Sequence, residues 1–503
     1  MSTDSPLPNG VWSDRHVVVF PEQAAGPGGS ARAAVDGPAG ADRPRGRTGR
    51  LGWLPIGALG MLALALGTLQ SVLEPALPLL QRELRISPAE GALVANTLLV
   101  TGAVVAPVAG KLGDRYGGKR MLVRLTALVS AGGLLAGLAP NLPVLLLGQV
   151  LQGAMVGALP LSFVLARKHL AAGESQVAIG VVSALFTGGG MVGTSLAGPI
   201  AERLTWHGMF TLPTLAIIAA TWAVTRLMPD DPPAPSQHGI DWPGVALLSG
   251  TLLAFMLGLV TVTNGLPPLA AGGLAVAVAA LATGWVLVER RAAAPMVELR
   301  MLAHPALWRA CLLTFVITTG SGMVLFLLPQ LFAVPADGYG FGADTTDIGL
   351  LLLPGALAGA FSDSVGGIAA RRFGPRAVVV VGGIVTAVTL IALAALHTAA
   401  WQLVLAKVLT AFAAGVATTA LLAGAATAVE AGDTGIATSL LVVTRVIGVA
   451  LGAQVAGAIL DAGAEPATGL PGESAFVTGF ATAGLVAALS PLIARLTRKG
   501  TPS

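Results

Sequence analysis

The sequence predicts an all-α protein that crosses a membrane many times. Composition and patterning carry that reading. Of 503 residues, 54% are hydrophobic and 11% charged, against about 25% charged in an ordinary soluble protein. Apolar stretches near the ~20 residues that cross ~30 Å of hydrocarbon as a helix recur along the chain, separated by short polar breaks. The same numbers exclude a water-soluble enzyme and a chain disordered over most of its length, because so much apolar surface must be buried. The single cysteine, Cys311, forms no internal disulfide and completes no metal motif. A net charge of +4 does not mark nucleic-acid binding, since the basic residues never gather into a stripe with interleaved aromatics.

In chain order, residues 1–50 are rich in Gly, Pro and Ala, carry six arginines and hold no apolar run longer than Val17 to Phe20. They are expected to form a disordered cytoplasmic tail, since no signal-peptide core precedes Leu51. Fourteen membrane helices are predicted to follow, at 52–80, 89–110, 118–138, 142–166, 176–200, 208–228, 243–263, 267–288, 308–333, 346–368, 376–397, 401–424, 434–461 and 474–495. The seventh and eighth are parted only by Asn264 to Leu266 and the Pro267-Pro268 pair, and also read as one re-entrant pair.

Cytoplasmic loops are enriched in Lys and Arg, which tests the spans independently. With the N-terminus inside and fourteen crossings, 24 of the 29 basic residues fall on the cytoplasmic side, only Arg82, Arg85 and Arg203 fall outside, and Lys407 and Arg445 stay within helices. Tryptophan is enriched where a bilayer meets water. Trp53, Trp206, Trp242, Trp308 and Trp401 stand at predicted helix starts, and Trp222 and Trp285 near ends.

After the second predicted helix the chain reads Gly110-Lys111-Leu112-Gly113-Asp114-Arg115-Tyr116-Gly117-Gly118-Lys119-Arg120. Glycines let two helices and their turn approach closely, while the acid can meet a helix N-terminus or an arginine. The string resembles the loop signature of the major facilitator superfamily, a large class of secondary transporters. That resemblance implies a gating latch, with Gly110, Asp114, Arg115, Gly117, Lys119 and Arg120 as its residues. A weaker echo, Gly367 to Arg376, follows 257 residues later with Arg371 in place of Asp114, as expected of a duplicated transporter.

The superfamily's plan of six plus six helices then implies bundles at 51–228 and 307–497, a linker at 229–306 carrying two additional helices, and a cytoplasmic tail at 498–503. The whole resembles the fourteen-helix drug:proton antiporter branch. Gln149-Val150-Leu151-Gln152-Gly153 is similar to an Arg-x-x-Gln-Gly motif of the fourth helix, with Gln149 replacing the arginine. Gly189, Gly193, Gly198 and Pro199 stand near the antiporter signature of the fifth helix, with Thr194 at its proline position. Glu74-Pro75-Ala76-Leu77-Pro78 resembles the end of the branch's first-helix motif, whose aspartate is here Leu69.

A charge at a helix centre costs about 2.5–3.5 kcal/mol on insertion scales, so each one calls for a reason. Desolvation disfavours the ionised form of a carboxyl, which suits such a group to take up and release a proton. Glu74 and Asp363 are therefore proton-coupling candidates. Glu74 also reads as an acid reaching the outer interface beside Arg82 or Arg85, and Asp363 as a structural partner for a basic residue. Arg445, the third proton-coupling candidate, resembles an arginine frequent in the branch's thirteenth helix, with an ion pair and a substrate contact both open. Lys407 reads first as a side chain reaching the outer interface. Asn96, Gln149, Gln152 and Gln454 either line a cavity or bond helix to helix.

The resemblance implies a transporter rather than an enzyme, with no cofactor or metal and the proton gradient as energy source. It implies a monomer in the cell membrane, as in a bacterial inner membrane, with both termini cytoplasmic and with lipid, protons and a small amphipathic substrate as partners. Export of drugs or an antibiotic is expected first, import or facilitated passage of a solute second; a membrane-embedded enzyme or a transporter-like sensor is remote.

Overall fold

Prolines and glycines decide where the helices break and where they touch. The structure, a computed structural model, describes residues 53–170, 172–230, 241–263, 267–292, 305–336, 338–429, 434–465 and 468–496. The tails expected at 1–50 and 498–503 lie outside these residues, as do 231–240, 264–266 and 293–304 of the linker expected at 229–306.

The first crossing is two helices, α1 (Trp53–Ser71) and α2 (Leu73–Leu84). Pro75 has no amide hydrogen to offer the Ser71 carbonyl, and its ring crowds that carbonyl. The helix axis breaks there and puts Glu74 in the first turn of α2. Next come α3 (Pro88–Tyr116) and α4 (Gly118–Gly137). A capping box starts α3: Glu90 N–H donates to Ser87 Oγ and Ser87 N–H to the Glu90 carboxylate. The fourth crossing is also split, into α5 (Leu142–Gln152) and α6 (Met155–His169), around Gly153 and Ala154.

The predicted fifth and sixth helices form one run, α7 (Ala172–Leu227), interrupted at Thr205, where φ is 63° and ψ 173°. Its first arm runs alongside α1 in the same direction, with Gly67 meeting Phe186 and Gly190. Its second arm runs back against α4, where Gly137 meets Thr211 and Gly133 meets Thr214. The remaining helices are α8 (Trp242–Thr263), α9 (Pro268–Arg291), α10 (Pro305–Ala333), α11 (Thr345–Phe373), α12 (Pro375–Ala395), α13 (Ala400–Thr427), α14 (Thr434–Ala462) and α15 (Glu473–Leu496).

Among the described residues, twelve helices are long and apolar enough to cross a membrane, two fewer than expected. The difference lies at two places. The stretch Glu174–Leu227 counts once although its arms reverse, and α8 qualifies only as a shorter apolar stretch over Trp242–Phe255.

The packing repeats itself. In the first half α1 packs on α7, α3 on α6, and α4 on α7. In the second, α10 packs on α14, α11 on α13, and α12 on α15. The seam between halves is reciprocal as well, with α3 against α14 and α7 against α11. The two signature loops close the same way: Gly117 has φ 91° and ψ 133°, and Gly374, 257 positions on, has φ 80° and ψ 145°. Side chains with a Cβ rarely adopt such angles.

The added pair is unequal. Leu252 and Phe255 of α8 pack on the α3–α14 seam through Ala89, Leu93, Val100 and Ala450. By contrast no apolar residue of α9 is fully buried, and Glu289 is its one buried side chain. Outward apolar surface is stable in lipid, where tails are as apolar as leucine and burial gives no driving force between helices. Trp53, Trp222, Trp242, Trp308 and Trp401 are exposed as an interfacial belt requires. Trp206 departs from that expectation: it is buried, stacked on His207 at 3.9 Å and edge-on to Phe210 at 6.3 Å, and packs the reversal at Thr205.

Candidate functional site

Several side-chain hydrogen bonds join the halves at mid-depth or toward the face away from the basic loops. Near that face Gln330 Nε2 donates to Gln81 Oε1 at 2.7 Å, the Arg82 guanidinium donates to the Ala333 carbonyl, and Thr346 Oγ1 donates to Glu202 Oε1 at 2.5 Å. Gln454 Nε2 donates to the Ala89 carbonyl at 3.0 Å and Asn96 Nδ2 to the Ala450 carbonyl at 2.8 Å. The largest buried cluster runs through this same region, from Leu80 and Ala92 of the first half to Leu327, Phe332 and Ala456 of the second.

Beneath that seam lies a cavity of about 170 Å³, walled by Gln70 and Glu74, by Asn96 of α3, Gln149 of α5, Phe326 of α10 and Ala453 of α14. Its lining is mostly apolar with a few convergent polar groups, the usual character of a small-molecule site. Glu74 Oε1 accepts from Lys407 Nζ at 2.6 Å, and the two side chains are 24% and 9% exposed. Glu74 is about 15 Å of helix from the end of α2, and Lys407 about 10 Å from the start of α13, so the pair lies within the membrane. It crosses from one half to the other.

This corrects two expectations. Lys407 does not reach for the interface; its stem folds over Gly355, where a Cβ would stand 2.2 Å from Lys407 Cγ. Glu74 does not pair with Arg82, which is held by the Ala333 carbonyl. A buried ammonium is costly without an anion, and the nearest carboxylate decides where the lysine points.

The polar candidates divide. Asn96 and Gln149 line the cavity, and Gln149 Oε1 is buried without a hydrogen-bond partner. Gln152 and Gln454 do not line it: Gln152 Nε2 donates to the Gly132 carbonyl at 3.4 Å and Gln454 Nε2 to the Ala89 carbonyl, while the Oε1 of each is buried without a hydrogen-bond partner among the described residues. Arg445 faces a separate cavity between α10, α13 and α14. Asp363 and Asp114 sit on α11 and α3, but their side chains lie outside the described residues. The sequence reading passed over Gln70 and Phe326. Gln70 is polar within a predicted helix, the criterion that selected Asn96.

Of the loop signature, Lys119 Nζ donates to the Met228 carbonyl at 2.6 Å and to Asp230 Oδ1 at 3.0 Å, tying the turn after α3 to the end of α7. The hydrogen bond from Lys119, then its charge, holds the Asp230 carboxyl below its ordinary value. Arg115 and Arg124 lie over the Tyr116 ring at 5.4 and 5.7 Å. Gly110 has open space around it, and Arg120 stands on α4 one position past Lys119.

In the fifth-helix signature, a Cβ on Gly189 would meet the Leu64 carbonyl oxygen at 2.0 Å and one on Gly193 the Thr68 oxygen at 2.4 Å. Gly198, beside Pro199, meets the Thr346 backbone where α11 begins. The second half repeats the device with Gly448 and Gly452 of α14 against Thr318 and Thr319 of α10. Helix pairs spaced by small residues at four-residue intervals are a recurrent membrane contact.

The sequence profile of the Major Facilitator Superfamily matches residues 59–361 and 310–503. The chain belongs to that superfamily. It is a multi-pass membrane transporter. It is 28% identical over 508 residues to the tetracenomycin C resistance and export protein of Streptomyces glaucescens, covering 88% of this chain and 92% of that one. It is also 28% identical over 349 residues to the uridine/deoxyuridine transporter of Lactococcus lactis subsp. cremoris, covering 67% and 72%. A putative multidrug resistance protein of Salmonella paratyphi B is 27% identical over 65% of this chain and 68% of its own length. Among solved structures, the nucleoside transporter NupG shares the fold with a TM-score of 0.64 at 12% identity, over 88% of this chain and all of that one.

Proposed function

We propose that this transporter exports small amphipathic compounds, drugs or an antibiotic among them, in exchange for protons. The observation that carries the reading is the Glu74–Lys407 pair in and beside the central cavity, bridging the two halves. Protonating Glu74 removes the anion that holds Lys407, and the pair then no longer fastens α2 to α13. With the far seam parted and the pair broken, Glu74 takes up a proton from the far face; once the seam closes and the cavity meets the cytoplasm, that proton leaves on the inner side and the carboxylate rejoins Lys407 as substrate enters. This is alternating access, two bundles rocking about a midplane site. Each charge moved across the membrane contributes about 2.3 kcal/mol per 100 mV.

In this reading the chain makes fourteen crossings, α7 supplying two, and works as a monomer in the inner membrane. The basic loops and both termini face the cytoplasm, so the cavity beneath the fastened far seam loads from inside. Asp363 is a second proton-linked group, and the Gly110–Arg120 loop latches through Lys119. No cofactor or metal takes part. Similarity to the tetracenomycin C exporter over nearly the whole chain supports export; similarity to the uridine/deoxyuridine transporter favours a second reading, uptake of a solute.

The test is accumulation of a panel of amphipathic antibiotics in cells producing the protein, with and without a protonophore, beside Glu74→Gln and Asp363→Asn. Export predicts lower accumulation with the intact protein, restored by the protonophore and by Glu74→Gln. Equal accumulation with and without the protonophore, in all three proteins, would sink the reading.

A further inference from the structure

Charge in or beside a membrane asks for a partner. Arg82, Lys119 and Lys407 each have one in the protein. Arg445 has no hydrogen bond or ion pair among the described residues. It stands eleven residues into α14, about 16 Å from the start of that helix, while Thr314 lies about 14 Å into α10 and Thr418 about 14 Å from the end of α13. All three therefore sit near the midplane of a ~30 Å hydrocarbon layer. They line one cavity of about 290 Å³ together with Thr419, Leu441 and Val442.

Thr314 is the second, independent sign. Helical threonines in a membrane ordinarily donate to a carbonyl one turn back, as Thr318 does to Thr314 O, Thr319 to Phe315 O, Thr418 to Ala414 O and Thr444 to Leu440 O. Thr314 is 2% exposed and its hydroxyl has no partner among the described residues. A buried hydroxyl without a partner is costly, and this one lines the same cavity as an unmatched guanidinium. Among the described residues no carboxylate lines it, and the carboxylate of Glu74 is already matched by Lys407.

We propose that Arg445 and Thr314 form an acid-recognition subsite, which takes the carboxylate or ionised phenol of an amphipathic ligand while Leu441 and Val442 hold its apolar body. Guanidinium offers paired N–H donors to two oxygens of a carboxylate, or to one phenolate oxygen, and Thr314 Oγ1 donates to the same group. The subsite rests on the transport reading only in the claim that its ligand is cargo. Binding of the acid does not depend on proton coupling.

The test is equilibrium binding to the purified full chain in lipid nanodiscs with three probes of one shape: 2-naphthoate, neutral 2-naphthamide and cationic 2-naphthylmethylammonium. The naphthoate is expected to bind most tightly. Arg445→Gln should weaken it about tenfold or more, the scale of a lost charge-assisted hydrogen bond, and leave the naphthamide unchanged. Arg445→Lys should fall between, and Thr314→Val should cost the naphthoate about threefold to tenfold. Glu74→Gln should keep this order even where it abolishes export, so the two readings fail separately. Equal weakening of all three probes by Arg445→Gln would make the arginine structural and overturn the proposal. Tighter binding of the cation, or no naphthoate binding up to about 1 mM, would overturn it too.

Discussion

Glu74 and Lys407 come from opposite halves of the chain, 333 positions apart, and meet at 2.6 Å. Each was visible in the sequence as a charge out of place; their pairing was not. Spacing along a helix is legible because it repeats every 3.6 residues, whereas a contact between α2 and α13 depends on how two whole bundles dock. The pair has a thermodynamic signature. Removing one member leaves the other buried and unmatched, about 3 kcal/mol for Lys407→Met, the low end for a buried pair because Glu74 keeps some exposure. The double variant Glu74→Gln, Lys407→Met should recover part of that loss. Thermal unfolding of the four proteins in one detergent measures the coupling, and additive losses would show that the two side chains do not interact.

At the scale of elements, the glycines of the fifth-helix signature were legible and their partners were not. Gly189 and Gly193 read as a small-residue face, and the structure sets that face against the backbone of α1. Gly448 and Gly452 do the same work in the second half, and the loop echo at Gly374 was the only sequence sign of the repeat. Gly193→Val and Gly452→Val should each cost more than the ~1–3 kcal/mol of ordinary overpacking, because the obstacle is backbone. A monodisperse, thermally unshifted Gly193→Val protein would contradict the packing.

The turns give a milder test. Gly117→Ala and Gly374→Ala should each cost about 1–3 kcal/mol, similarly in the two halves, since both residues hold positive φ. Asp230, just past the end of α7, has its carboxyl held below the ordinary 3.8. Its bond to Lys119 is then intact above that value and lost as pH falls through the lowered one. Asp230→Asn should mimic the acid state at neutral pH, seen as faster hydrogen exchange at 117–120 with little change in global stability, as exposed pairs contribute little.

Over the whole molecule, composition made the membrane legible, and the basic residues made one face distinct from the other. The helix count was less legible, because a single residue, Thr205, turns one run into two arms, and because α8 is apolar enough only over the shorter stretch Trp242–Phe255. Which end of the bundle is closed was not legible at all: Gln81, Gln330, Arg82 and Gln454 fasten the far seam through amide groups, a guanidinium and backbone carbonyls, with no charge pattern to announce it. If that seam must part, the double variant Gln81→Cys, Gln330→Cys in a Cys311→Ser background, cross-linked with a short bis-maleimide, should lose transport while keeping substrate binding. Transport undiminished by a complete cross-link would mean that the far seam stays shut throughout the cycle.

The most direct measurement is proton movement in sealed liposomes containing the purified protein, read by an internal pH dye when substrate is placed on the side of the basic loops. Proton-coupled export predicts a substrate-dependent pH change that saturates with substrate, collapses with a protonophore and is absent in Glu74→Gln. Substrate flux that persists in Glu74→Gln with no accompanying proton movement in either protein would contradict the account.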